Sequence, residues 1–121
     1  MRSALRLFNR YSKYHAKKTS VDGIAFASKA EATLYQYLKL EGIKLTLQPK
    51  VYLTKAKILY KPDFQEMGAH VYYEMKGMET TSWRLKRRLW IAYGPGYLLI
   101  YKMKGNKPYL FESINPSNCD E

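Results

Sequence analysis

Acidic residues are scarce in this chain: ten Asp and Glu stand against 21 Lys and Arg, a formal net charge of +11 over 121 residues. That deficit argues against an acidic surface and favours a polyanionic partner, of which nucleic acid is the commonest. A generally basic protein with no such partner is the plain alternative. Cysteine is nearly absent. Cys119 is the only one, and it lies in a polar tail, which excludes a disulfide framework and a Cys/His zinc pattern. The two histidines, His15 and His70, lack zinc-ligand spacing. No apolar run approaches membrane-spanning length, and the N-terminus has no signal-peptide core. The expectation is therefore a cytoplasmic protein (the host cytoplasm if it is phage-encoded) with no membrane partner. Internal repeats and linkers are missing too, and the length suits one domain.

Hydrophobic residues are 46% of the chain, enough for a core. The sequence divides into a basic arm over 1–20, a folded domain over 21–114 and a polar tail over 115–121. The arm carries Lys17 and Lys18 among its basic residues, with no acid before Asp22. It reads either as a solvated tail or as a phosphate-contacting arm.

Within the domain, Asp22-Gly23 marks a turn before a short Ile24–Phe26 segment. Ser28-Lys29-Ala30-Glu31 has the form of a capping box, and apolar residues at helical spacing follow to about Glu41. Gly42 stands where a helix ends on glycine. Strand patterns then cover Lys44–Leu47, Val51–Thr54, Ile58–Gln65 and Ala69–Lys76. A second helix is expected from about Thr80–Ser82 to Ala92, stopped by Gly94-Pro95-Gly96. Tyr97–Tyr101 is a continuous apolar run, as in a strand covered on both faces, and Pro108–Glu112 reads as an edge strand. The fold class is α/β, a mixed sheet flanked by helices.

A two-residue turn at Met67-Gly68 would set Phe64 opposite Val71, Pro62 opposite Tyr73 and Tyr60 opposite Met75, a credible core face. The other face would hold Asp63, Tyr72, Glu74 and Lys76, with Asp63 one diagonal step from Glu74, roughly 7–8 Å at Cα. Carboxylates so placed repel each other unless a divalent cation lies between them. Mg²⁺, with Mn²⁺ substituting, suits such oxygen ligands, and the backbone carbonyl of Met75 could add a third. Lys76 could stabilise charge developing on a phosphate or orient an attacking water. Glu31 either closes its capping box or enlarges the metal site. Read singly, Glu74 and Lys76 could be surface residues of a half-exposed strand, and Asp63 a turn residue.

Pro62-Asp63, ten intervening residues and Glu74-Met75-Lys76 resemble the signature of the PD-(D/E)XK nuclease superfamily. Within it, the chain resembles the phage junction-resolving endonuclease I group. The shared segments are Phe26-Ala27-Ser28-Lys29-Ala30-Glu31, Gly42-Ile43-Lys44, Tyr60-Lys61-Pro62-Asp63-Phe64 and Glu74-Met75-Lys76-Gly77. The likeness covers about Asp22–Tyr101 and extends to small phage proteins of the same layout. It implies a restriction-endonuclease-like fold and a Mg²⁺-dependent endodeoxyribonuclease that is structure-selective, in the manner of a Holliday junction resolvase. Asp63 and Glu74 would be metal ligands, Lys76 the catalytic lysine and Glu31 the additional acid. The region after Ile100 departs from that group.

Arg84, Lys86, Arg87 and Arg88 on the second helix read either as a basic rim for phosphate contacts or as a solvated helix face. Tyr72, on the catalytic face, is a candidate for stacking on an unpaired base. Cutting both strands needs two sites, so a homodimer is expected. The alternatives are a nicking or restriction-like nuclease on duplex DNA and a non-catalytic nucleic-acid-binding accessory protein. An RNA target stays open.

Overall fold

A computed structural model of the chain describes residues 19–116. Strand β1 (Thr19–Val21) pairs antiparallel with β2 (Ile24–Phe26) about the Asp22-Gly23 turn. Two residues assigned to the basic arm from sequence, Thr19 and Ser20, are therefore strand. The rest of the arm, with Lys17 and Lys18, lies outside the described residues. Helix α1 (Lys29–Leu40) starts at Ser28, whose side chain accepts a hydrogen bond from the Glu31 amide at 3.1 Å. One half of the expected capping box is thus in place. The helix ends at Glu41, and Gly42 follows at φ 87°, a left-handed backbone that glycine adopts without steric cost.

The central sheet has the order β3-β6-β7-β8-β9, formed by Leu45–Leu47, Phe64–Glu66, Val71–Met75, Tyr97–Lys104 and Lys107–Ile114. Strand β8 runs parallel to β7, joined by helix α2 (Thr81–Tyr93), and the other pairings are antiparallel. This is an α/β fold with a mixed sheet. α1 packs on one face through Leu34, Tyr35 and Leu38, against Phe64, Tyr73, Met75 and Tyr101. α2 covers the opposite face through Trp83 and Trp90, against Tyr72, Leu98 and Ile100. Strand β8 is thus buried on both sides, as its unbroken apolar run implies, and β9 is an edge.

The strand expected over Ile58–Gln65 is two strands. β5 (Ile58–Tyr60) pairs with β4 (Val51–Leu53) in a separate two-stranded sheet, and β6 pairs with β3. The register explains the break. Leu47 faces Phe64, and Val51 faces Tyr60. Counting inward from both pairs sets Pro49 opposite Pro62. Neither has an N–H to donate, so the ladder cannot run through them. One long hairpin from Leu45 to Glu66 is bent there. Its outer half, β4–β5, leans onto the α2 face, where Val51, Leu53 and Tyr60 are buried.

Candidate active site

Asp63 follows directly on the bend, and Glu74 stands near the end of β7. The turn between their strands is longer than two residues. Phe64 pairs with Tyr73 and Gln65 with Tyr72, so the expected register is wrong by two positions. An even slip leaves every side chain on its expected face. It also carries Asp63 from a diagonal position to one directly opposite Glu74. The Asp63 amide donates to Glu74 Oε1 at 3.2 Å, and the Met75 amide donates to Asp63 Oδ2 at 2.8 Å. Lys76 is fixed just past the strand by its amide, which donates to the Tyr101 carbonyl at 2.9 Å.

Glu74 is the one charged residue in the described core, only 7% exposed. Its carboxylate is held by three donors. Tyr60 Oη donates to Oε1 at 2.9 Å, the Asp63 amide shares that oxygen, and Lys76 Nζ lies 3.3 Å from Oε2. The ammonium of Lys76 also sits 4.5 Å from the centre of the Trp83 ring, a cation–π contact that restricts it. Tyr60 was expected on the Phe64 side. The proline bend turns it to the Glu74 side, where it becomes a partner of the acid. Tyr60 and Trp83 are the site residues that sequence reasoning missed.

Glu31 lies in the first turn of α1 and shares with Asp63 a pocket of about 220 Å³, walled by Phe26, Leu47, Gln48 and Phe64. Burial raises the Glu31 carboxyl above its ordinary range, and the charge of Glu74 raises it further. The Asp63 carboxyl is pushed well above the carboxylate range, first by burial, then by Glu74 and Glu31, against the Met75 amide and Lys76. Glu74 is raised by burial and pulled back by Lys76, Tyr60 and the Asp63 amide. Glu31, Asp63, Glu74 and Lys76 therefore form one electrostatic unit, with three acids against one cation. Burying like charges costs free energy that the fold does not need for its core.

Among the described residues, no three His, Cys, Asp or Glu side chains stand as a ready-made metal cage. The donor set nevertheless fits a hard divalent cation in kind, since it offers carboxylate oxygens only. Asp63 Oδ1 accepts no hydrogen bond among the described residues, whereas Oδ2 is committed to Met75.

Two expected DNA contacts need correction. Tyr72 is buried, 6% exposed, with its ring 5.1 Å from that of Trp90. A side chain packed in the core cannot stack on a base. Arg87 spends its guanidinium on Glu112, with Nε 3.1 Å from Oε1 and a second bond from Nη2 to Oε2. It clamps α2 to β9 and is not free for a phosphate. Arg84 and Arg88 remain exposed beside it. Lys86 Nζ stands 5.7 Å from the centre of the Tyr60 ring, on the flank of the acidic unit.

A family model described as "Protein of unknown function (DUF1064)" matches residues 11–107. No curated protein and no solved structure matches the chain.

Proposed function

Since the chain belongs to the DUF1064 family, whose description carries no activity, we propose from its own geometry that it is a metal-dependent DNA endonuclease of the PD-(D/E)XK type. The observation that carries this reading is the meeting of Asp63, the buried Glu74 and the part-buried Glu31 with Lys76 at one end of the sheet. Core packing does not require such a group of charges, and strongly shifted acids in a pocket favour a chemical role. Asp63 and Glu74, with Glu31 and the Met75 carbonyl, would hold Mg²⁺ or Mn²⁺. When bound, that cation supplies the positive charge that activates water and offsets charge on a phosphate.

The chain's own groups have separate parts. Tyr60 and the Asp63 amide fix one oxygen of Glu74, which sets the carboxylate's orientation. The Met75 amide does the same for Asp63. Lys76, held between Glu74 and Trp83, brings an ammonium to where negative charge develops on a transferred phosphate. Arg84, Lys86 and Arg88 on α2 supply phosphate contacts that position the backbone without reading bases. The likeness to junction-resolving enzymes makes branched DNA the preferred substrate and a homodimer the working form.

The test is a cleavage panel of four-way junction, flap, nicked, continuous duplex and single-stranded DNA, with Mg²⁺ and with Mn²⁺. The expected result is metal-dependent cutting, fastest on branched DNA. Binding to DNA with no cutting of any member would refute the enzymatic assignment and leave an accessory binding protein.

A further inference from the structure

The bent hairpin extends past the acidic unit, and its outer half has a surface that the proposed chemistry does not use. Its two feet are planted at the site. At one, the Gln48 amide donates to the Asp63 carbonyl at 2.9 Å. At the other, Tyr60 holds Glu74. Between them, Tyr52 and Leu59 form a cross-strand pair. Both face outward, 56% and 39% exposed, while their neighbours Val51, Leu53 and Tyr60 are buried. Tyr52 makes no ring contact with any described residue. An exposed aromatic–aliphatic pair at this position contributes nothing to the core.

The charge around the pair points to the occupant. From Gly42 to Pro62 the chain has five lysines and no acidic residue. Lys50 and Lys61 flank the pair at its base, and Lys55 and Lys57 at its tip. All four are exposed. None of them is in an ion pair among the described residues. The tip is also held in one shape. The Lys57 amide donates to the Thr54 carbonyl at 3.0 Å, and the Ala56 amide donates to Thr54 Oγ1 at 2.9 Å. Thr54 has φ 69°, a conformation that a β-branched residue adopts only under constraint.

We propose that the β4–β5 hairpin is a nucleic-acid wedge: Tyr52, backed by Leu59, stacks on an unpaired base next to the cleaved phosphate while the surrounding lysines hold the backbone. The location of that phosphate rests on the nuclease reading above. The chemistry is a flat apolar face surrounded by uncompensated cations, which matches a base and its flanking phosphates. A continuous duplex keeps its base faces stacked and offers Tyr52 nothing to cover. The wedge therefore favours DNA with an interruption in stacking, such as a bulge, flap or branch.

The experiment measures binding alone, in the full-length Glu74→Gln protein without divalent cation. Fluorescence anisotropy compares a continuous duplex with the same duplex carrying an unpaired bulge labelled with 2-aminopurine. The bulged DNA binds more tightly, and its 2-aminopurine emission is quenched. Tyr52→Ala reduces bulge affinity roughly tenfold, erases the quenching and leaves duplex binding unchanged. Tyr52→Phe keeps the preference. Should Tyr52→Ala fold poorly, Tyr52→Leu retains the cross-strand packing without the ring and must behave like Ala. Lys55→Ala with Lys57→Ala weakens both DNAs alike and lowers the salt slope by about 2. A bulge preference that survives loss of the ring, or a duplex affinity that falls equally, overturns the proposal. So does Tyr52-dependent binding to anionic vesicles or acidic peptides in place of DNA. A wild-type protein that engages unpaired bases through Tyr52 yet never cuts would leave the wedge standing and remove the nuclease reading.

Discussion

Glu74 shows how a single residue can be expensive to the fold and still be held with care. It is buried, it has three donors, and it lies opposite a second acid whose amide it binds. Removing one negative charge should therefore relieve the protein when no cation is present. Asp63→Asn is expected to raise the melting temperature by a few degrees in chelator, about 1 kcal/mol. Mn²⁺ should raise the melting temperature of the wild type and have little effect on the variant. A melting curve of Asp63→Asn below that of the wild type in chelator would show the acids to be structural. Tyr60 belongs to the same scale. Tyr60→Phe removes the hydroxyl on Glu74 Oε1 but keeps the ring against Trp83 and Trp90. As a positioning residue it should lower kcat about tenfold, the worth of one charge-assisted hydrogen bond, with KM unchanged. An equal rise in KM would mean that Tyr60 serves DNA binding instead. The sequence made Asp63, Glu74 and Lys76 legible because strand alternation survives an even slip of register. Tyr60 was not legible, because its face depends on two prolines meeting across a hairpin.

Helices and strands were read well where their ends carry chemistry. Ser28 and Gly42 bound α1, and Thr80 accepts the Trp83 amide at the start of α2. The hairpin register was not readable, since Met67-Gly68 looks like a tight turn and the chain instead uses Met67–His70. Nor was the division of Ile58–Gln65, although Pro49 and Pro62 were its signal. The crossover from β7 to β8 through α2 depends on a close approach. At Gly96 an added Cβ would lie 2.0 Å from the His70 carbonyl oxygen, and the Tyr97 amide donates to that same oxygen at 2.9 Å. The Gly96 carbonyl accepts from Trp90 Nε1 at 2.8 Å. Gly96→Ala is expected to cost about 3 kcal/mol or more, because backbone on both sides must move. Urea unfolding measures it, and a loss under about 1 kcal/mol would show that the crossover is looser than its contacts imply.

At the scale of the whole molecule, a chain with a net charge of +11 brings three of its few acids together in one part-buried unit. Outside the acidic unit, α2 and the bent hairpin carry exposed basic groups, which on the proposed reading would attract the same polyanion on which the acids would act. No helix of the described residues is long and apolar enough to cross a membrane. DNA affinity should fall steeply with salt, through phosphate contacts from both elements, and Arg84→Ala with Arg88→Ala should lower the slope by about 2 without changing which DNA is preferred. A slope left unaltered by that pair would move the phosphate track off α2. The composition favours a polyanionic partner, but it cannot say which lysines and arginines are spent internally, as Arg87 is on Glu112.

The most direct measurement is single-turnover cleavage of a four-way junction in Mg²⁺ by the wild type, Glu74→Gln and Lys76→Ala, each at a concentration that saturates binding. The expected result is cutting by the wild type and at least a thousandfold slower cutting by both variants, with their DNA affinity intact. Undiminished cleavage by Glu74→Gln and Lys76→Ala would contradict the assignment of these residues as the catalytic centre.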